Sequence, residues 1–179
     1  MPALDERRRA RYAEAHRAYS NRVQRIDPAS WTPQPWKNGG GVTYELARWP
    51  ATGEFDVRVS LAEDERDSVF SLFPGYRRWS FLAGDAPIEL MIGDGIHRLV
   101  ALGDHVEVPG DAAITSHLPA GPTRLFNILA RTQIRVGHAA TTHPVRFAFM
   151  LVATSELPRW TALVDAPGAP AGAVWLDWS

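Results

Sequence analysis

The sequence predicts an all-β sandwich or barrel, and three observations carry that prediction. From residue 26 onward, short segments that favour strands are each closed by Gly, Pro, Asp or Asn. Residues 55–61 alternate between apolar and polar side chains. Two further apolar segments flank Gly93-Asp94-Gly95, whose glycines allow the tight reversal of a hairpin. Many short strands at intervals of roughly ten residues are typical of sandwiches and barrels.

The clearest single strand is 55–61. Its odd-numbered residues are Phe, Val, Val and Leu and share one face, whereas Asp56, Arg58 and Ser60 share the other. The hairpin joins 88–92 to 96–100. The remaining candidate strands are 42–47, 79–82, 105–108, 112–116, 124–130, 134–136, 146–152 and 174–177. Residues 166–172, rich in Pro, Gly and Ala, are expected to form a late surface loop.

Composition excludes several classes of protein. The chain has 179 residues, of which 45% are hydrophobic and 22% charged, as expected of a globular domain with a substantial core. It contains no cysteine, so disulfides, thiolate metal sites and thiol nucleophiles are excluded. No apolar segment is long enough to span a bilayer, and the charged amino terminus lacks a secretory signal. We therefore expect a soluble, cytoplasmic protein with no membrane partner.

Residues 1–22 form a basic amino-terminal extension. Seven arginines lie within the first 25 residues, against three acidic residues. Nucleic-acid binding is not favoured, because the extension has few interleaved aromatic residues and the rest of the chain is mildly acidic. We expect a solvated segment that is a frayed helix or disordered.

The most distinctive segment is 36–45, WKNGGGVTYE. Three successive glycines are expected where the backbone turns sharply or lies against another group. Lys37, Asn38, Thr43 and Glu45 surround that point, and Lys37 is the only lysine in the chain. A phosphate-binding loop is excluded because its spacing is absent and no helix follows. A dinucleotide fingerprint is excluded because it needs a strand before the glycines, where this chain has two prolines, and a helix after them.

Two arginines are candidates for ligand contact. Arg58 shares its strand face with Ser60, and Arg78 begins a later strand. A guanidinium inside a barrel needs an acceptor, and a carboxylate ligand would fit its planar fork. Pairing with Glu45, or exposure to solvent, explains the same residues without a ligand.

The histidines do not predict a metal site. His97, His105, His117, His138 and His143 lie in separate segments, and none forms a pair with ligand spacing. We therefore expect no metal and no cofactor. A serine hydrolase is not indicated either, because no G-x-S-x-G elbow is present.

With these residues in view, the chain resembles the HutD/Ves family from about Val23 to the carboxyl terminus. The resemblance rests on Trp31 and the glycine-rich segment, on 55–62 (FDVRVSLA), on 70–78 (FSLFPGYRR), and on three short pieces. Those pieces are Pro109-Gly110-Asp111, Gly121-Pro122 and Phe126-Asn127.

The resemblance implies a bicupin, an RmlC-like jelly roll of two fused cupin-like barrels, occupying residues 23–179. It also implies an association with histidine utilisation, in which members bind a small acid such as urocanate or formylglutamate and limit expression of the pathway. Cationic and amide groups suit such a ligand. The expected ligand-binding residues in the first barrel are Lys37, Asn38, Thr43, Glu45, Arg58, Ser60 and Arg78, with Asn127.

Two positions depart from the family pattern. Arg77 and Leu125 stand where the family usually has Asp. If those acids orient the pocket arginine or contact the ligand, this chain binds a different ligand or has a degraded site. Other family members are associated with environmental stress.

The residues and the resemblance therefore predict a non-catalytic or weakly catalytic protein that binds a small carboxylic acid, and the resemblance implies a regulatory role. The alternative is a metal-independent cupin enzyme, in which Glu45 or a histidine such as His117 is a general base with a pKa moved toward neutrality by burial. A metal-dependent oxygenase and a partner-interaction role remain open, and the sequence does not decide between a monomer and a homodimer. The ligand hypotheses depend on one spatial expectation, that the polar face of 56–60 and the glycine bend line a common cavity.

Overall fold

A computed structural model describes residues 23–178, and these form antiparallel β-strands with one 3-10 turn at Pro28–Ser30. The expected helix or disorder of residues 1–22 lies outside the described residues. The strands are β1 (Gln24–Ile26), β2 (Pro33–Pro35), β3 (Gly41–Trp49), β4 (Val57–Asp64), β5 (Ser68–Val69), β6 (Arg77–Leu82), β7 (Ile88–Ile92), β8 (Gly95–Leu99), β9 (His105–Pro109), β10 (Ile114–His117), β11 (Thr123–Ala130), β12 (Arg135–Gly137), β13 (Val145–Met150), β14 (Ala162–Ala166) and β15 (Ala173–Asp177).

The strands divide between two compact units. The central unit is Ala29–Gln133, and the terminal unit contains the described residues on either side of it, 23–28 and 134–178. Two β units in one chain agree with the prediction of two fused barrels. Their boundaries differ from a simple division along the sequence because both ends of the chain contribute to the terminal unit.

The central unit has two sheets. The six-stranded sheet has the order β2-β3-β4-β11-β6-β9, and the four-stranded sheet has the order β5-β10-β7-β8. In the first, Ser60 of β4 lies opposite Asn127 of β11, which lies opposite Ser80 of β6. A β-bulge at Leu46 shifts the register of β3 against β4.

A hydrophobic cluster fills one side of the central unit. It contains Leu82, Ile88, Leu90, Leu99, Val106, Ile114 and Leu125, all buried. They belong to strands β6 to β11 of both sheets. Burial of apolar surface stabilises a fold by ~25 cal/mol per Å², so this cluster stabilises the central unit.

The terminal unit has one five-stranded sheet, with the order β1-β14-β13-β15-β12. Its central strand, β13, has fully buried Phe147 and Phe149. On the same strand, Val145, Ala148 and Met150 belong to a second buried cluster. The near-continuous apolar run of β13 is typical of a strand buried on both faces.

All the strands expected from the sequence are present, although several boundaries differ by one to three residues. Four short strands were not predicted: β1, β2, β5 and β14. β14 contains Asp165 in the left-handed region at φ 52°, which interrupts the alternation that would reveal it. β2 contains Pro33 and Pro35, and a strand does therefore precede the glycines. The prolines are tolerated there because β2 is an edge strand.

Within residues 23–178, no helix is long and apolar enough to cross a bilayer.

Candidate functional site

The glycine-rich segment forms the turn between β2 and β3. Trp36 N–H donates to the Gly41 carbonyl (2.9 Å), and Gly39 N–H donates to the Trp36 carbonyl (2.9 Å). Gly39 has φ +67°, a conformation that other residues rarely adopt. A side chain on Gly41 would place its Cβ 2.1 Å from the Glu63 carbonyl oxygen. The segment thus contains both a left-handed turn and a close backbone approach, the two features for which glycines were expected.

Polar side chains stabilise this turn. Asn38 Oδ1 accepts a hydrogen bond from Gly40 N–H (3.0 Å), and the Thr43 hydroxyl accepts one from Trp36 Nε1 (2.8 Å). Arg66 donates to the Asn38 carbonyl (3.0 Å). Lys37 is exposed at the tip of the turn.

The turn borders a cavity of about 540 Å³ in the central unit. One face of β4 forms part of the cavity wall through Arg58, Ser60, Ala62 and Asp64, while Val57, Val59 and Leu61 are buried on the other face. Seven of the eight ligand-binding residues predicted from the sequence line this cavity. The exception is Glu45. The spatial expectation is therefore met for Arg58, Ser60 and the turn at Asn38, whereas Asp56, which was expected on the same face, pairs with Arg131 and does not line the cavity.

Two guanidinium groups dominate the chemistry of the cavity. Arg78 is 7% exposed and Arg58 is partly buried, with a side-chain exposure of 22%. Both stack over the ring of Phe73, at 5.3 Å for Arg58 and 5.5 Å for Arg78. Cation–π contacts of this kind hold the planar groups in place without using their N–H donors.

The donors of these arginines are only partly used. Arg78 donates to the Ser71 carbonyl (2.6 Å). The Nε–H groups of Arg58 and Arg78 are buried and have no hydrogen-bond partner among the described residues. A carboxylate of Glu45 lies 3.9 Å from Arg58 Nε, close enough for electrostatic attraction but too far for a hydrogen bond.

Burial opposes the positive charge of both groups. It is the main cause of the lowered pKa of Arg58, an effect that Glu45 partly offsets. Burial also lowers the pKa of Arg78 to about 10, and the nearby charge of Arg58 contributes. Both arginines remain charged at neutral pH, but their charges are poorly solvated.

Uncharged polar groups lie on the strands that carry the arginines and on β11 between those strands. Ser80 donates to Asn127 Oδ1 (2.6 Å), which fixes the orientation of the amide. The Asn127 amide nitrogen makes only a long contact, 3.3 Å, with the Leu125 carbonyl. Ser60 lies beside Asn127 across the strands and is 3% exposed. These groups can hydrogen-bond a ligand held by the arginines.

Of the ionisable residues that line the cavity, Asp64 was missed from the sequence. Asp64 is fully buried, and burial raises its pKa to about 7. Both carboxyl oxygens have no hydrogen-bond partner among the residues that the structure describes. The alternation of β4 could have identified it, because Asp64 continues the face of Arg58 and Ser60.

Other residues singled out from the sequence lie elsewhere. His117 is exposed and pairs with Asp67 through Nδ1 at 2.8 Å, so this candidate base does not line the cavity. Arg77 is exposed and pairs with Glu107 (2.6 Å), and Leu125 belongs to the hydrophobic cluster. Neither departure from the family pattern therefore lies on the cavity wall. In residues 23–178, no three His, Asp or Glu side chains are grouped as metal ligands.

Comparison with curated proteins gives two groups of relatives. An uncharacterised 21.2 kDa protein from the hutC 3′ region of Pseudomonas putida is 32% identical over 116 residues, 63% of this chain and 60% of the relative. Protein Ves of Escherichia fergusonii is 30% identical over 98 residues, 54% of this chain and 51% of the relative. The matches thus span roughly half to three fifths of these relatives' length.

Two solved structures share the fold. HutD from Pseudomonas fluorescens SBW25, determined in a formate condition, matches with TM-score 0.72 at 22% identity, over 87% of this chain and 97% of that one. A conserved protein of unknown function from Pseudomonas aeruginosa PAO1 matches with TM-score 0.65 at 20% identity, over 86% and 95%. These matches support the predicted all-β cupin fold.

The family model for HutD matches residues 29–163, which include the glycine turn, the arginines and the whole cavity wall. Together with the relatives above, this match shows that the chain belongs to the HutD family.

Proposed function

We propose that this protein binds a small carboxylic acid in the cavity of the central unit and acts as a regulatory binding protein. One observation carries the proposal. Two guanidinium groups face one cavity, and each has a buried Nε–H without a hydrogen-bond partner among the described residues.

The charge balance of the cavity favours an anion. Arg58 and Arg78 are both positive, and Lys37 adds a third positive charge at the turn. Glu45 is the nearest carboxylate to Arg58 and lies beyond hydrogen-bond distance. Asp64, with a pKa of about 7, carries only part of a negative charge at neutral pH. Buried charges are costly unless they are paired, so a bound anion would stabilise this arrangement.

A carboxylate suits this site better than a spherical anion. Its two oxygens can accept paired N–H bonds from a planar guanidinium, and its ionised form strengthens each bond. The Asn127 amide and Ser60 hydroxyl add neutral hydrogen-bonding groups, while Val69 and Leu129 add apolar surface. A volume of about 540 Å³ accommodates a small organic molecule.

Membership of the HutD family suggests which acids to try first. Urocanate and formylglutamate are the candidates implied by the association of this family with histidine utilisation, and limiting pathway expression is the proposed role. The protein would then sense the concentration of a pathway acid in the cytoplasm rather than consume it.

The test is ligand-dependent thermal stabilisation of the full chain. A ligand at about 100 times its Kd stabilises the folded state by ~2.7 kcal/mol, a readily measured rise in Tm. We expect urocanate or formylglutamate to raise the Tm of the wild type and to have no such effect on Arg58→Ala or Arg78→Met. Arg77→Met is the matched control, because Arg77 precedes Arg78 but is exposed and paired with Glu107.

Two results would contradict the proposal. One is that neither acid, nor any simple carboxylate, shifts the Tm of the wild type. The other is that Arg78→Met responds to ligand as strongly as Arg77→Met does.

A metal-independent enzyme is a second candidate, and one observation favours it. A buried carboxyl with a pKa of about 7 on a cavity wall is suited to general acid–base catalysis. Asp64 would then take the role that the sequence suggested for Glu45 or His117. If the wild type converts a candidate acid to a product and Asp64→Asn does not, the enzyme is supported over the binding protein.

A further inference from the structure

Asp64 is the last residue of β4, at the far end of the cavity from Arg58. Five residues lie between them, so their Cα atoms are about 20 Å apart along an extended strand. Asp64 shares the cavity-facing side of β4 and is 0% exposed. Neither of its carboxyl oxygens has a hydrogen-bond partner among residues 23–178.

The strands beside Asp64 cannot supply that partner. On β3 its neighbour is Gly41, which has no side chain. Any side chain at this position would clash with the Glu63 carbonyl oxygen. On β11 its neighbour is Thr123, whose hydroxyl donates to the Ala86 carbonyl (2.6 Å). Buried polar atoms in proteins are nearly always hydrogen-bonded, and an orphaned one costs stability. The protein therefore maintains a carboxyl group that its own strands leave unsatisfied.

We propose that Asp64 is a second pole of the ligand site, which accepts hydrogen bonds from a protonated nitrogen at the far end of a ligand whose carboxylate lies at Arg58 and Arg78. The ligand class is then an extended amino acid or similar zwitterion, rather than a plain carboxylic acid. This inference rests on the proposed function, because it takes the arginine pole as the carboxylate site.

The choice of a donor on the ligand follows from the chemistry of a carboxyl group. In either protonation state its oxygens have more acceptor sites than donor sites. When it is ionised, an ammonium group would provide both the missing hydrogen bonds and the compensating charge. The two poles would thus be satisfied by opposite ends of one neutral molecule.

Few charged groups face this end of the cavity. Lys37 lies on the turn between β2 and β3, and Arg66, just after β4, contacts the Asn38 carbonyl. Glu63 is adjacent along β4 but points to the other face, where it pairs with Arg124 (2.5 Å). The raised pKa of Asp64 has burial as its cause. A cationic ligand would favour ionised Asp64, so its binding should release a proton below about pH 7.

The experiment compares matched pairs of ligands by calorimetry on the full chain. The pairs are ε-aminocaproate with caproate and ω-aminooctanoate with octanoate, which differ only in the distal amine and are long enough to extend from the arginine side chains toward Asp64. We expect at least one amino acid to bind the wild type about tenfold more tightly than its partner acid, as for a hydrogen bond to a charged group. In Asp64→Asn the advantage should disappear while the plain acid keeps its affinity.

A second readout separates this role from a purely structural one. The amino acid, but not the plain acid, should release protons on binding at pH 6, measured in buffers of different ionisation enthalpy. Lys37→Met tests whether Lys37 is the natural partner of Asp64. If the amino acid releases no protons on binding to the wild type but does so on binding to Lys37→Met, Lys37 is the partner of Asp64. That result would overturn the ligand inference.

The outcomes distinguish the two proposals. If the acids bind and lose affinity in Arg78→Met, but the amine gives no advantage, the second pole is wrong and the carboxylate site stands. The same conclusion follows if the advantage survives in Asp64→Asn. If neither class binds and Arg78→Met changes nothing, the proposed function fails, and the second pole with it.

Discussion

The interior of the central unit is packed with hydrocarbon on one side and open and polar on the other. Strands β6 to β11 supply a cluster of buried aliphatic residues. The β2–β3 turn and β4 instead border a cavity with two arginines and a buried aspartate. Apolar burial stabilises the fold, whereas unpartnered buried charges destabilise it. The cluster therefore stabilises the unit, whereas the cavity side is retained at a cost in stability.

Two strands show how closely these regions are interleaved. β11 contributes Leu125 to the cluster and Asn127 to the cavity wall, two residues apart on the same face. β6 does the same with Leu82 and Arg78. The sheet therefore holds the binding groups on strands that the cluster keeps rigid, which limits the reorganisation needed on binding.

The largest expected effect is the cost of Asp64. Burial raises its carboxyl pKa from 3.8 to about 7. Between about pH 4 and pH 7, Asp64 is therefore protonated in the folded protein and ionised in the unfolded chain. The stability present below pH 4 is then lost as pH rises to 7, on the order of 4 kcal/mol for a shift of this size. Asp64→Asn should abolish this loss and be more stable than wild type at pH 8. Urea unfolding at pH 4, 6 and 8 measures the difference.

Asp67→Asn is the control, with the opposite sign. The hydrogen bond from His117 lowers the pKa of Asp67, so this pair adds stability near neutral pH that is lost on acidification. Equal stability of wild type and Asp64→Asn at every pH would show that the buried carboxyl does not destabilise the fold. The proposed difference in stability between the cavity side and the cluster side would then be wrong.

The next effect concerns the packed side. Leu90 is 0% exposed within the cluster, so Leu90→Ala should destabilise the protein by about 3 kcal/mol through lost burial and a new cavity. Leu72→Ala is the matched control, because Leu72 is 56% exposed and should cost under about 0.5 kcal/mol. Denaturant midpoints at constant m-value would give both numbers. If Leu90→Ala loses no more unfolding free energy than Leu72→Ala, the cluster does not stabilise the unit as proposed.

Much of this comparison could be predicted from the sequence. The period-two pattern of 55–61 gave the two faces of β4, because side chains on a strand alternate. The same alternation brought Arg58 and Ser60 to one wall, and three successive glycines indicated the turn that borders the same cavity. The resemblance to the HutD family supplied the cupin fold, which periodicity alone left as a sandwich or barrel.

The remainder depended on contacts between distant segments. Glu45 has the alternation expected of a cavity residue, but the bulge at Leu46 changes the register next to it. Asp64 looked like the polar end of a strand, and nothing local indicates that Gly41 and Thr123 leave its carboxyl unsatisfied. The division into a central and a terminal unit was also hidden, because β1 pairs with β14 from the other end of the chain.

The smallest effect tests how the glycine turn is held on the open side. No residue of this turn belongs to the hydrophobic cluster, and the bond from Trp36 Nε1 to the Thr43 hydroxyl (2.8 Å) fastens it to β3. Thr43→Val keeps the shape and β-propensity but leaves the indole N–H unpaired, so it should cost about 1 kcal/mol. Hydrogen exchange should rise at Trp36 and Gly39, whose N–H groups bond within the turn, and stay unchanged in the cluster strands. Faster exchange in β7 as well would mean that the turn and the cluster open together, and that the two sides are one cooperative structure.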